Sequence, residues 1–287
     1  MQTYSPILLL LLVISGCSSP NQKNVAKTTI AKAADSANRD STAIPDSSGT
    51  ARKPLDSAAL DLEIANESTL SPSKGGLTFP PYGLDKVQAA IVKMRHIEND
   101  SFGYGFKIAV NDSVYSSWSF DEKFTYNMIH AEDYSQMCSM LPFRTDEEQR
   151  IYGQLQDLFG EYHWSERQFA FFKANRDSVV QLMKAVIKKD DQAGMNFLTV
   201  IVLLNANELI PDLIDVYRTN PGNHYILTTL MLLMDENKYP EFAESISARK
   251  LYHRKTDTYS AFINYNKANE DLIIQRATNF YDGLAQK

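Results

Sequence analysis

The chain is poor in cysteine, poor in positive charge and without a long apolar run, and each shortage removes a class of explanation. Its two cysteines, Cys17 and Cys138, stand far apart in 287 residues, so neither a disulfide framework nor a Cys-x-x-Cys pair is available. Lys and Arg number 29 against 35 Asp and Glu, a formal charge of −6. That balance leaves no basic stripe for a phosphate backbone, which excludes nucleic acid as a partner class, and it exerts no pull toward anionic lipid. The most apolar stretch, residues 6–16, is well short of the about 20 residues a membrane-spanning helix needs. Catalytic signatures are missing too: no His-Glu-x-x-His, no Gly-x-Ser-x-Gly elbow and no Ser-x-x-Lys with its companion motifs.

Among the polar residues that are present, His130, Glu132 and Asp133 are close in sequence, as are His96 with Glu98 and Glu161 with His163. Their spacings do not bring them onto one helix face, so they read as solvated polar surface. Gly103-Tyr104-Gly105 neither follows a clear strand nor opens a βαβ helix, which removes it as a nucleotide fingerprint. No catalytic, cofactor-binding or metal-ligating residue is assigned. Cys138, between Met137 and Met140, is expected to fill core as a small hydrophobe.

The strongest positive signal lies in residues 8–17, LLLLLVISGC, where an apolar run ends in Ile14-Ser15-Gly16-Cys17. This pattern resembles the lipobox of bacterial lipoprotein precursors. The resemblance implies that residues 1–16 are a signal peptide, that the Cys17 thiol is diacylated, and that the mature chain starts at Cys17 with its new amino group acylated as well. Two or three acyl chains at about 0.8 kcal/mol per buried CH₂ make attachment to a lipid bilayer stable, where one chain does not. Ser18, standing where an aspartate marks retention in the inner membrane, implies the outer membrane of a Gram-negative cell.

Between Ser18 and Gly76 there is no aromatic residue, and seven basic side chains cancel seven acidic ones. Such a segment cannot bury enough surface to offset its ordering entropy, so residues 17–76 are expected to be an acylated cysteine followed by a disordered tether with a reach of roughly 40 Å. Asp35-Ser36-Ala37, Asp40-Ser41-Thr42 and Asp56-Ser57-Ala58 resemble a bacterial O-glycosylation tripeptide; a Ser/Asp-rich linker matches it by composition alone, and both readings stand.

Residues 77–287 carry the fold, read as a mostly α arrangement with an N-terminal helical portion (77–142) and a helical repeat region (143–287). Leu84, Val87, Ile91 and Met94 mark one helix. Ser119 with Glu122 opens another through Phe120, Phe124, Met128 and Ala131. Alternation at Phe106, Ile108 and Val110 followed by Asn111-Asp112 fits a small β-hairpin near 104–118 or a loop. Thr145 with Glu148 and Ser165 with Gln168 read as capping boxes that open helices near 145 and 165. The segment beginning Phe197-Leu198-Thr199 matches Ile226-Leu227-Thr228 at an offset of 29, and Asn175, Asn207, Asn237 and Asn269 follow at spacings of 32, 30 and 32. Each asparagine is expected at a corner between two helices, its side-chain oxygen accepting a first-turn N–H. Stacked antiparallel hairpins of this kind resemble HEAT or armadillo repeats over about residues 145–287, although those repeats have a period of about 40 residues.

An address, a tether and a helical scaffold imply a membrane-anchored interaction module with a protein or peptide partner in the cell envelope. An envelope enzyme whose site is assembled from distant residues, or an immunity-like protein that binds a toxin, remain the alternatives. A cleft with convergent carboxylates and a histidine favours the enzyme; a groove with exposed aromatics favours the module.

Overall fold

Apolar residues at helical spacing recur along most of the chain, and in the computed structural model, which describes residues 76–99, 108–135, 144, 146–253 and 258–285, they form helices almost throughout. These residues belong to one unit, Lys53–Lys287. Eleven α-helices and two small antiparallel two-stranded sheets are present among them. None of the helices is long and apolar enough to cross a membrane. The acylation site, the linker tripeptides and Cys138 lie outside the described residues.

The first helices, α1 (Leu84–Asn99), α2 (Asp112–Ser117) and α3 (Phe120–Ile129), form one side of the core. The Ser119–Glu122 capping box forms at the start of α3, and Glu122 also takes a hydrogen bond from Lys86 on α1 at 2.8 Å. The expected hairpin near 104–118 is corrected by α2: Asn111 Oδ1 accepts the Val114 N–H at 2.9 Å. An asparagine that is at home in a tight turn serves here as a helix N-cap, the other position that its short polar side chain suits. Residues 104–107 of the proposed hairpin lie outside the described set.

Beyond α3, the chain runs through β1 (Asp133–Tyr134), β2 (Arg150–Tyr152) and β3 (Tyr162–His163) before α4 (Glu166–Ala174). β1 pairs with β3, and β2 pairs with a distant strand, β4 (Phe262–Asn264), in the register Ile151 to Ile263. The helix expected near 145 is not there: residues 147–149 form a turn after Asp146, whose φ of 59° breaks any helix, and a strand follows. The strand wins because β4 supplies its ladder partner, which local pattern cannot reveal. At Ser165, by contrast, the capping box opens α4.

The remaining helices are α5 (Arg176–Asp190), α6 (Met195–Leu203), α7 (Ile210–Thr219), α8 (His224–Glu236), α9 (Pro240–Ala243), α10 (Ile246–Leu251) and α11 (Lys267–Ala285). α6 packs on α8, α5 on α7, and α11 on both α7 and α8. The stripe Ile210, Leu213, Ile214 and Tyr217 is buried, and α8 is buried almost all round, as a helix enclosed by neighbours must be. After Tyr239 the chain forms the four-residue α9 followed by the short α10. It is α11 that covers α8. A cluster around Glu270 fixes α11 there: the Tyr217 and Tyr265 hydroxyls donate to its carboxylate at 3.1 and 2.7 Å, and Tyr265 stacks on His224 at 4.0 Å.

Asn175, Asn207 and Asn237 stand between helices, but not in the expected role, and Asn269 stands inside α11, which follows a strand. Asn175 and Asn237 donate from Nδ2 to the carbonyls of Phe171 and Leu233, both at 2.8 Å, closing the helix that precedes them. Asn207 begins a one-turn 3₁₀ segment, Asn207–Leu209, without a side-chain cap, and its Oδ1 accepts from Asn237 at 3.3 Å. Asn269 lies in the first turn of α11, where Asn266 supplies the accepting oxygen at 2.9 Å. Last-turn carbonyls are as much in need of partners as first-turn N–H groups, and an amide can serve either. α6 has 9 residues and α8 has 13. Matched at their starts, the two helices therefore reach their corners one turn out of step, at Asn205 (φ 47°) and Lys238 (φ 51°).

Where the described chain begins, Gly76 and Thr78 clasp the start of α6. The Met195 N–H donates to the Gly76 carbonyl at 2.8 Å and the Gly194 N–H to Thr78 Oγ1 at 2.7 Å. Buried Asn196 then bonds both backbone groups of Thr78, at 2.9 and 2.7 Å. A Cβ on Gly194 would sit 2.4 Å from the Thr78 nitrogen, whereas one on Gly283 in α11 would meet nothing within 4 Å. Gly194→Ala is therefore expected to cost about 2 kcal/mol through overpacking, and Gly283→Ala to add about 0.5 kcal/mol of helix propensity. Urea unfolding of the two variants checks the opposite signs.

Candidate functional site

Between α3 and α4 sits a buried carboxylate whose partners come from three parts of the chain. Glu132 is fully buried, and Tyr126 donates to its Oε1 at 2.9 Å. Ser165, the α4 cap, donates to Oε2, and Arg167 pairs with Oε1. Arg167 also reaches Asp112 at 2.8 Å and the Val110 carbonyl at 3.2 Å, with its guanidinium 4.2 Å from the centre of the Tyr115 ring. Gln168 completes the tie, accepting the Glu132 N–H at 3.1 Å and donating to the His130 carbonyl at 2.8 Å. Burial raises the Glu132 pKa, but the bonds from Arg167, Ser165 and Tyr126 outweigh it, and the net shift is downward.

Solvated surface is thus the wrong reading for His130 and Glu132, which are 3% and 0% exposed. Asp133 is half-buried in β1, while Glu161 and His163 are exposed. The side chains of His96 and Glu98 lie outside the described set. Among the described residues no group of three or more His, Cys, Asp or Glu is placed to hold a metal ion.

The polar core fixes Trp164, and Trp164 forms the back wall of a groove. Its indole N–H donates to the Asn127 carbonyl at 2.7 Å, and its ring meets Phe159, Phe169 and Phe172 edge-on at 5.7, 6.2 and 5.1 Å. The groove has a volume of about 500 Å³ and is open to solvent along one side. One wall is the irregular stretch 154–159 with Tyr162 and His163; the other is Thr199, Val202 and Leu203 of α6 with Leu232 of α8 and, at one end, Tyr259. Thr199, Val202 and Leu203 stand at i, i+3 and i+4, so they make one continuous strip. All three are only half-buried, on a helix whose other apolar residues are covered.

Arg144 stiffens the rim from behind. It donates to the carbonyls of Gln154 at 2.8 Å and Tyr259 at 2.9 Å, and its guanidinium lies 4.1 Å from the Tyr259 ring centre and 4.4 Å from that of Tyr152. A buried guanidinium that donates to carbonyls and lies against aromatic faces holds loops in place. The one carboxylate on the groove is Asp157, at an exposed position. Local burial of its carboxyl raises its pKa, against the lowering effect of the Leu158 and Phe159 N–H groups and of His163. Ser135 Oγ stands 3.4 Å from His163 Nδ1 at the outer edge.

Aromatic and aliphatic side chains dominate the groove, with no second carboxylate among its lining residues. A surface of this make-up is suited to contact with apolar groups. Sequence reasoning did not find the groove, because its walls come from residues 154–164, α6 and α8. The only local signal was the excess of Phe, Tyr and Trp in residues 159–172. Compared with protein-family models, curated proteins and solved structures, the chain matches none.

The sign of the pH effect on the buried tie follows from its depressed pKa. The Glu132 carboxylate contributes fully above the unfolded value of 4.5 and loses that contribution as pH falls through the lower folded value. Glu132→Gln is expected to cost about 3 kcal/mol at pH 7, the lower end of the range for breaking a buried pair. It should also flatten the decline in stability below pH 4.5. Urea denaturation at a series of pH values measures both effects.

Proposed function

We propose that this chain is a lipid-anchored envelope protein acting as an interaction scaffold, whose aromatic groove holds a segment of a protein partner. The observation that carries this reading is the uncovered strip Thr199, Val202 and Leu203 facing Phe159, Tyr162 and Phe169 across an open groove of about 500 Å³. A half-exposed apolar strip bounded by polar rims is the anatomy of a recognition surface.

The finer architecture we propose is a stack of helical pairs, α4 with α5, α6 with α7, and α8 with α11, in the manner of HEAT-like repeats. The contacts of α6 with α8, α5 with α7 and α7 with α11 support that order. The groove then lies across the first helices of adjacent pairs, where repeat proteins carry their binding surfaces.

The anchor is proposed from residues 8–17. The Gly76 carbonyl lies at the start of α6, accepting the Met195 N–H, whereas the groove lies toward the other end of that helix, on the order of 10 Å along its axis. A partner can thus occupy the groove without displacing the clasp at Gly194.

Two experiments separate anchor from groove. Cys17→Ser is expected to abolish incorporation of labelled palmitate and to move the protein from the membrane to the soluble fraction; retention of label contradicts the anchor. A photo-crosslinking phenylalanine analogue at Val202 is expected to give a discrete adduct in intact cells, and the same group at exposed Lys189 on α5 none. Equal labelling at both positions, or none at Val202, contradicts the interaction reading.

A further inference from the structure

The walls of the groove are aromatic and aliphatic, with the half-buried Gln154 and buried Gln156 among them, and Asp157 is the only acid among the lining residues, which include no Lys or Arg. The one cationic side chain acting on the Asp157 carboxyl is His163. Elsewhere in the fold three buried acids each have a cation: Glu132 has Arg167, Glu270 has Lys267, and Asp212 has Lys184 at 3.2 Å. Asp157 has no Lys or Arg partner among the described residues. Its raised pKa expresses that imbalance.

Charge and shape together select the occupant. An acyl chain or other wholly apolar ligand covers the strip on α6 but brings no counter-charge to the Asp157 carboxylate and takes away part of its hydration, which costs free energy. An acidic segment adds like-charge repulsion. A basic segment without apolar residues leaves the strip exposed. What satisfies every wall is an extended peptide with apolar side chains for the strip and a cation for the carboxylate, its backbone groups meeting the glutamine amides.

We infer that the groove takes a partner-protein segment bearing two neighbouring apolar or aromatic residues and an adjacent Lys or Arg, the apolar pair against Val202, Leu203 and Phe159 and the cation on Asp157. This rests on the interaction reading above and adds to it the chemical class of the ligand. The cation supplies the counter-charge that the fold withholds, so binding should weaken as Asp157 is neutralised.

The test uses the purified full chain in detergent and a phage-displayed library of random twelve-residue peptides. The tightest selected sequence is then synthesised with a fluorophore for anisotropy titrations. The expected consensus places Lys or Arg beside an apolar pair. Asp157→Asn is expected to weaken binding about ten-fold, the scale of a partly desolvated charge pair. Replacing the peptide's cation by Gln should weaken it equally, and combining both changes should weaken it no further. Val202→Asp should abolish binding, with circular dichroism confirming that both variants fold. Selected peptides that are acidic or uncharged, or an affinity unchanged by Asp157→Asn, overturn the inference about charge; the interaction reading survives that result if Val202→Asp still abolishes binding. Selection of no peptide sensitive to Val202→Asp overturns both.

Discussion

The groove depends on a carboxylate that never meets water. Glu132 lies fully buried just after α3, and the side chains that neutralise it, Ser165 and Arg167, are the first residues of α4 and its cap. Removing such a charge from water is costly unless both oxygens are satisfied by strong donors in good geometry. That requirement fixes the position of α4 relative to α3 more sharply than apolar contact does, because hydrocarbon packing tolerates small slips and a bonded ion pair does not. Trp164 sits next to the cap and is held by the Asn127 carbonyl of α3. The wall of the groove is therefore set by the polar core behind it.

A second tie of the same kind secures the opposite end of the fold. Glu270 of α11 is 7% exposed and takes bonds from Tyr217 of α7, from Tyr265 and from Lys267. Burial raises its pKa, but the donors lower it further, as they do for Glu132. Between these two polar anchors lie α6 and α8, the most apolar helices of the chain, which are free to be apolar on nearly every face because others supply the specificity. One strip of α6, Thr199 with Val202 and Leu203, remains half-exposed.

How much of this was legible in the sequence differs by level. The 3.6-residue period gave the helices around Leu84, Phe120 and Ile210, and the boxes at Ser119 and Ser165 marked two helix starts, because these signals are local. What failed was decided by distant partners. The strand at Arg150–Tyr152 exists because Phe262–Asn264 lies beside it, and nothing near residue 145 announces that. His130 and Glu132 read as surface because polar residues usually are; Glu132 is matched in the interior by Arg167, 35 residues away, and His130 by the Ile108 carbonyl, 22 residues away. Of the repeating asparagines, Asn175, Asn207 and Asn237 stand between helices and Asn269 does not, and because amide groups donate as readily as they accept, the pattern does not say which helix each caps. The groove was beyond reach for the same reason, since its two walls meet only in three dimensions.

The claim that the polar core holds the groove wall in place is tested most directly by amide hydrogen exchange in Arg167→Met, which removes the cation from Glu132 and preserves the length of the side chain. The account predicts faster exchange concentrated in residues 154–172 and at the end of α3, with the amides of α7, α8 and α11 unchanged. Exchange in 154–172 that matches the unaltered protein, or an increase spread evenly over every helix, would contradict it.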